Sequence, residues 1–145
     1  DPHYIFKGSN RLCEMYSGLR AEVPVASDRK TFCNVEAVRN LRSSTEDREK
    51  SVGIVVAGQA IDFSVRFTVL DLVRFFDVED QAAAEAIVQE PSLSPRPTNG
   101  RLKHIHVLTN GCSHIFEAAR DKFIADLKDV VTFCETSDVV KKLAQ

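Results

Sequence analysis

The stretch "HIHVLTNGCSHIFEAARDKF", His104 to Phe123, places three of the chain's four histidines and one of its four cysteines within eleven residues. Such side chains ligate metals, carry protons and attack electrophiles. His104 and His106 stand two apart on an alternating segment, so on a strand they share a face. Together with Cys112 or His114 they could form a tetrahedral zinc set. The plainer reading of the same spacing is a sheet face with two hydrogen-bonded histidines and a third at a helix start. Cys112 would sit where the strand gives way to a helix starting near 113. A helix N-terminus favours the thiolate there, and His114 could serve as its base. Against this, the next arginine after Cys112 is Arg120, too far for a Cys-x5-Arg phosphatase loop, and no glycine-rich oxyanion loop accompanies it.

Thr109, Asn110 and Gly111 fall at the expected C-terminal end of that strand, where α/β sheets hold ligands and helix N–H groups meet anions. An apolar strand ending in Thr-Asn before a helix resembles the second motif of the haloacid-dehalogenase-like phosphatases. The resemblance covers about thirty residues and implies a phosphate-binding role for Thr109, Asn110 and Gly111. It also requires a strand ending in Asp-x-Asp. Here "FFDVED" offers Asp77 and Asp80, three apart, a spacing that suits the N-capped start of a helix. Without a ligand, "TNG" is simply a turn and a cap. The six glycines form neither common nucleotide fingerprint, and no cofactor is predicted.

The elements expected to position these residues fall into two halves. Tyr4–Lys7 and Arg11–Met15 suit a hairpin. Phe32, Val35, Val38 and Leu41 follow helical spacing. "SVGIVVAGQAIDFSVRFTV" (51–69) alternates on both sides of "AGQA" and predicts a second hairpin, with a helix beginning at Thr68-x-x-Asp71. The alternative for 61–76 is one buried helix. Residues 77–90 predict a helix with Asp77 as N-cap, stopped by Pro91. Residues 91–100, with three prolines, predict an exposed loop. Then follow a strand (102–108), a helix (113–129), a short strand (130–134) and a helix (137–144) capped by Thr136 or Ser137. The expected fold is a single α+β domain over 1–145. Its mixed sheet has about five strands, antiparallel in the N-terminal half and β-α-β-α in the C-terminal half, with about four helices.

Composition narrows the function classes. A chain of 145 residues buries roughly 70% of its unfolded surface without a metal or disulfide staple. Net charge is −2 and residues 1–50 carry nine basic and eight acidic side chains, so no basic footprint points to nucleic acid. Tyr4 and Phe6, beside Lys7 and Arg11, could stack single-stranded bases, but Asp1 and Glu14 dilute the charge. No apolar run is long enough to span a bilayer. The start at Asp1-Pro2-His3, without an initiator Met, suits a mature product, a processed piece or an excised domain, and the helix-like run up to residue 145 favours a domain of something larger. Cys13, Cys33, Cys112 and Cys134 lack any Cys-x-x-Cys pair, against a zinc ribbon or redox site. The chain is neither short nor cysteine-dense, and apolar neighbours as in "TFCNV" suit buried thiols, which favours an intracellular, cytoplasmic setting over a secreted one. The expectation is a non-catalytic interaction or regulatory module of a larger intracellular protein, with a viral source left open. Its partner would be another protein or a second copy, with neither nucleic acid nor membrane. The alternative is a small Rossmann-like phosphate- or nucleotide-binding enzyme domain with its site at 109–114.

Overall fold

In the computed structural model of this chain, residues 4–45, 53–76, 78, 80–89 and 105–143 are described. His104, Asp77 and the proline-rich segment 91–100 lie outside them. The chain divides into two compact units, one from Asp1–Glu46 with Phe67–Arg96, the other from Asp47–Arg66 with Pro97–Gln145.

The first unit is helical. It contains a 3-10 turn, Arg29–Thr31, and three α-helices: α1 (Val35–Thr45), α2 (Arg66–Phe75, all but its first residue) and α3 (Gln81–Gln89). The hairpin expected at 4–15 is absent. Gly8 adopts φ +69° there and the Asn10 carboxamide accepts from the Leu12 N–H at 2.9 Å, a local bond that competes with strand pairing. Asn34 caps α1, its Oδ1 accepting from the Ala37 N–H at 3.2 Å. Asp80 caps α3: its carboxylate accepts from the Ala83 N–H at 2.8 Å. The core gathers Leu19, Val38, Val69, Leu72 and Phe75. Thr68 and Asp71 do not open a helix. Thr68 Oγ1 accepts from the Gly18 N–H at 3.0 Å, and Asp71 forms a buried ion pair with Arg20 at 2.8 Å.

The second unit carries the sheet. Its strands are β1 (Ile54–Gly58), β2 (Ile105–Cys112) and β3 (Thr132–Cys134), in the order β1-β2-β3 and all parallel. The expected five-stranded mixed sheet with an antiparallel half is therefore overturned. Three strands and five α-helices are found among the described residues. The difference starts at Ile61. Instead of a returning strand, Ile61–Val65 form a π-helical turn that continues into α2. The segment satisfies both periods, because Ile61, Val65, Val69, Leu72, Val73 and Phe76 also form a helical stripe. Burial selects that stripe: all six are buried, whereas Phe63 and Phe67 are only partly covered. β1 then finds its neighbour across a long connection, as parallel pairing requires. Helices α4 (Glu117–Leu127) and α5 (Thr136–Leu143) follow β2 and β3. Phe123 of α4 meets Phe133 of β3 edge-on, ring centroids 5.3 Å apart.

Candidate functional site

The strand-to-helix region of the second unit differs from expectation in one decisive way. β2 does not stop at Leu108 but runs on through Thr109, Asn110, Gly111 and Cys112. The helix starts only at Glu117, so Cys112 and His114 do not sit in its first turn. Gly111 explains the continuation. A Cβ at that position would come within 3.1 Å of Leu108 Cβ and 3.3 Å of Ala57 Cβ, so a side chain here would crowd the β1–β2 seam. The adjoining Gly58, at φ +144°, pairs with Cys112 across a register shift.

The two polar residues of the "TNG" stretch have structural bonds. Thr109 Oγ1 donates to the Cys134 carbonyl at 3.3 Å. Asn110 Oδ1 accepts from both the N–H and the hydroxyl of Thr136, each at 3.0 Å. Asn110 thus caps α5 from a neighbouring strand, and Asp138 reaches back to the Glu135 N–H at 3.1 Å to complete the turn. Thr136 and Ser137, expected as caps, are helical residues. Asn110→Ala is expected to lose about 1 kcal/mol of stability, read as a shift of the urea midpoint at constant slope.

Burial pushes the Cys112 thiol up, and the Gly58 N–H that bonds to it only partly opposes this. The thiolate that a nucleophile needs is therefore disfavoured. Alkylation of Cys112 by iodoacetamide at neutral pH, followed by mass spectrometry, should run slower than that of free glutathione; a faster rate would restore Cys112 as a nucleophile. His114 is exposed on the loop after β2. His106 is the second residue of β2, across from Val55 of β1 and Thr132 of β3. Among the described residues no three His, Cys, Asp or Glu side chains gather closely enough to hold a metal ion. Asp80 belongs to the other unit, where it caps α3.

The residue that organises this region is Asp62, which falls on the polar side of the alternation in the expected hairpin 51–69. It is 2% exposed. Its carboxylate accepts from the Ile115 N–H at 3.0 and 3.1 Å and from the Phe116 N–H at 2.6 Å. Burial alone would raise its pKa. The backbone donors of Phe116 and Ile115, and the nearby His114, outweigh burial and hold the carboxyl below its ordinary range. Phe116 is the N-cap residue of α4 and has no side-chain cap of its own. Asp62 thus occupies the place before α4 where a bound anion would otherwise sit. The one hint in the sequence is that Asp62 is the only acid in the apolar run 51–69.

The same bonds fix an unusual surface. Ile115 and Phe116 are 63% and 60% exposed although their backbone is pinned. Phe63 supports the Phe116 ring, centroids 6.2 Å apart and tilted by 52°. On β1, Val55 is also exposed.

Compared with known proteins, the chain matches no family model, no curated protein and no solved structure. The resemblance of "TNG" to a phosphatase motif thus has no family match behind it. Among the described residues no helix is long and apolar enough to cross a membrane.

Proposed function

We propose that this chain is a non-catalytic protein-interaction or regulatory module of a larger intracellular protein, docking through the rim that carries Ile115 and Phe116. The observation that carries this reading is the clamp beneath that rim. Asp62 holds the backbone of both residues while their side chains stand in water. Large apolar side chains displayed on ordered backbone are suited to serve as anchors in an interface. Little ordering entropy opposes docking when the loop is already set. The partner is a protein or a second copy of the chain, since neither net charge nor composition favours nucleic acid. The intracellular setting is supported by Cys33, a fully buried thiol pushed up to about 12, chiefly by desolvation.

The phosphate- or nucleotide-binding alternative at 109–114 ranks lower because its residues are otherwise engaged. Thr109 and Asn110 bond to β3 and α5, and the anion position before α4 is filled by Asp62.

A photo-crosslinking side chain at Ile115 tests the reading. The expected result is one discrete adduct, either to a second copy or to a partner in extract of the source cells, competed by unlabelled chain and suppressed by Phe116→Ser. The absence of a discrete adduct, together with thermal stabilisation by phosphate or ATP that Asn110→Ala abolishes, would replace it with the alternative.

A further inference from the structure

The first unit holds a cavity that plays no part in the docking reading. Its volume is about 470 Å³, within the roughly 300–1,000 Å³ typical of small-molecule sites. Two aromatic rings form its lip: Tyr4 and Phe6, 78% and 84% exposed on a segment without regular structure. Its other walls mix apolar side chains, Ile5, Met15 and Leu41, with polar ones, Asn10, Asp28, Lys30 and Asn34. Asn10 donates to the Asp28 carboxylate at 2.9 Å, and that carboxylate also accepts from the Lys30 N–H at 3.3 Å. Asn34 uses its carbonyl oxygen on the Ala37 N–H. Among the described residues no acceptor meets the Asn34 amide N–H pair or the Lys30 ammonium. The wall therefore offers unused donors beside a carboxylate with lone pairs to spare.

The chemistry of the lining restricts the ligand. Lys30 is opposed by Asp28 and Glu36, so the cavity has no surplus of positive charge for an anion. A cation would meet the Lys30 ammonium and an Asp28 carboxylate that already accepts from Asn10 and from the Lys30 N–H. What fits is an uncharged molecule with an apolar face for the rings and a rim that both donates and accepts hydrogen bonds. A sugar ring has this form: axial C–H groups on one face, hydroxyls around the edge. A nucleobase would also stack on Tyr4 and Phe6. Reading its edge, however, calls for an amide presenting donor and acceptor together, and the Asn34 oxygen is already bonded to α1. We infer that this cavity binds a neutral saccharide, ring face against Tyr4 and Phe6, hydroxyls on Asp28, Lys30 and Asn34.

The test uses the full chain labelled with ¹⁵N and titrated separately with glucose, galactose, mannose, N-acetylglucosamine, maltose and cellobiose. Adenosine and inorganic phosphate serve as comparison ligands. The expected result is a saturable shift of the Asn34 and Asn10 side-chain amides with at least one sugar. Affinity should fall about tenfold in Phe6→Ala and in Lys30→Ala, two exposed positions where truncation is nearly neutral for folding, and the thermal midpoint should not move. Three outcomes overturn the inference: no sugar shifts these amides, the shifts persist unchanged in both variants, or adenosine or phosphate shifts them and the sugars do not.

Discussion

Asp62→Ala should lower the unfolding free energy by about 3 kcal/mol, one of the two largest single-residue effects expected in the chain. The substitution strips the acceptor from two backbone N–H groups that are turned toward the carboxylate. It also removes the charge that steadies the first turn of α4. Asp62→Asn keeps the shape and one acceptor oxygen, so its loss should be smaller. The two variants also separate charge from geometry through pH. The folded pKa of Asp62 lies below the ordinary value, which is about 3.9 in an unfolded chain. Its contribution is therefore complete above that value and lost as pH falls through the depressed folded pKa. The advantage of wild type over Asp62→Asn, measured by urea unfolding, should be constant near neutral pH and shrink in acid below about pH 4. An advantage that persists unchanged into strong acid would mean that the carboxylate charge does not stabilise the fold. The same variants bear on the docking rim, since releasing Ile115 and Phe116 from the clamp should weaken crosslinking at Ile115 even where both side chains remain.

Arg20→Ala should cost about 3–5 kcal/mol, because it leaves a buried carboxylate without its partner. Arg20 Nε lies 2.8 Å from Asp71 Oδ1, and both side chains are largely withdrawn from water. Here the balance of forces is the reverse of that at Asp62. Burial raises the Asp71 pKa, and Arg20 together with the Ser17 hydroxyl compensates only in part. A carboxyl whose folded pKa is raised favours the fold below its unfolded value of about 3.9 and loses that contribution as pH rises through the folded value. The deficit of Arg20→Ala relative to wild type should accordingly be greatest near neutral pH and partly recovered in acid. The double variant Arg20→Met/Asp71→Leu should regain most of the stability, since a well-packed apolar pair replaces the ions without a desolvation penalty. A single variant as stable as wild type at neutral pH would show that water reaches Asp71.

These two aspartates also mark how much could be read along the chain. Asp71 looked like a capping residue and Asp62 like the polar face of a strand, because both intervals are local patterns. Neither pattern contains the partner. Arg20 lies fifty-one residues from Asp71, and Ile115 lies fifty-three from Asp62. The run 61–76 alternates well enough for a strand and repeats well enough for a helix. Nothing in the run itself decides between them. The choice follows from which residues can be buried together, and Ile61, Val65 and Val69 share one side of a helix. The "TNG" stretch failed in the opposite sense. Its composition suits a turn, yet Gly111 is there to let β1 and β2 approach, and Asn110 is there to cap a helix that begins twenty-six residues later.

Local chemistry was sufficient wherever an element is stabilised by its own residues. The helical spacing from Val35, the alanine-rich helix ending near Gln89, the strand from Ile105 and the short strand at 132–134 all appear close to where periodicity put them. Each has a full period of apolar residues or a cap within a few positions, and short-range interactions carry that information. The sheet's direction, the π-helical turn at Ile61 and the clamp at Asp62 were decided only by tertiary structure. A strand's alternation is the same whether its neighbour runs parallel or antiparallel, and a buried carboxylate is tolerated only where distant backbone N–H groups converge on it.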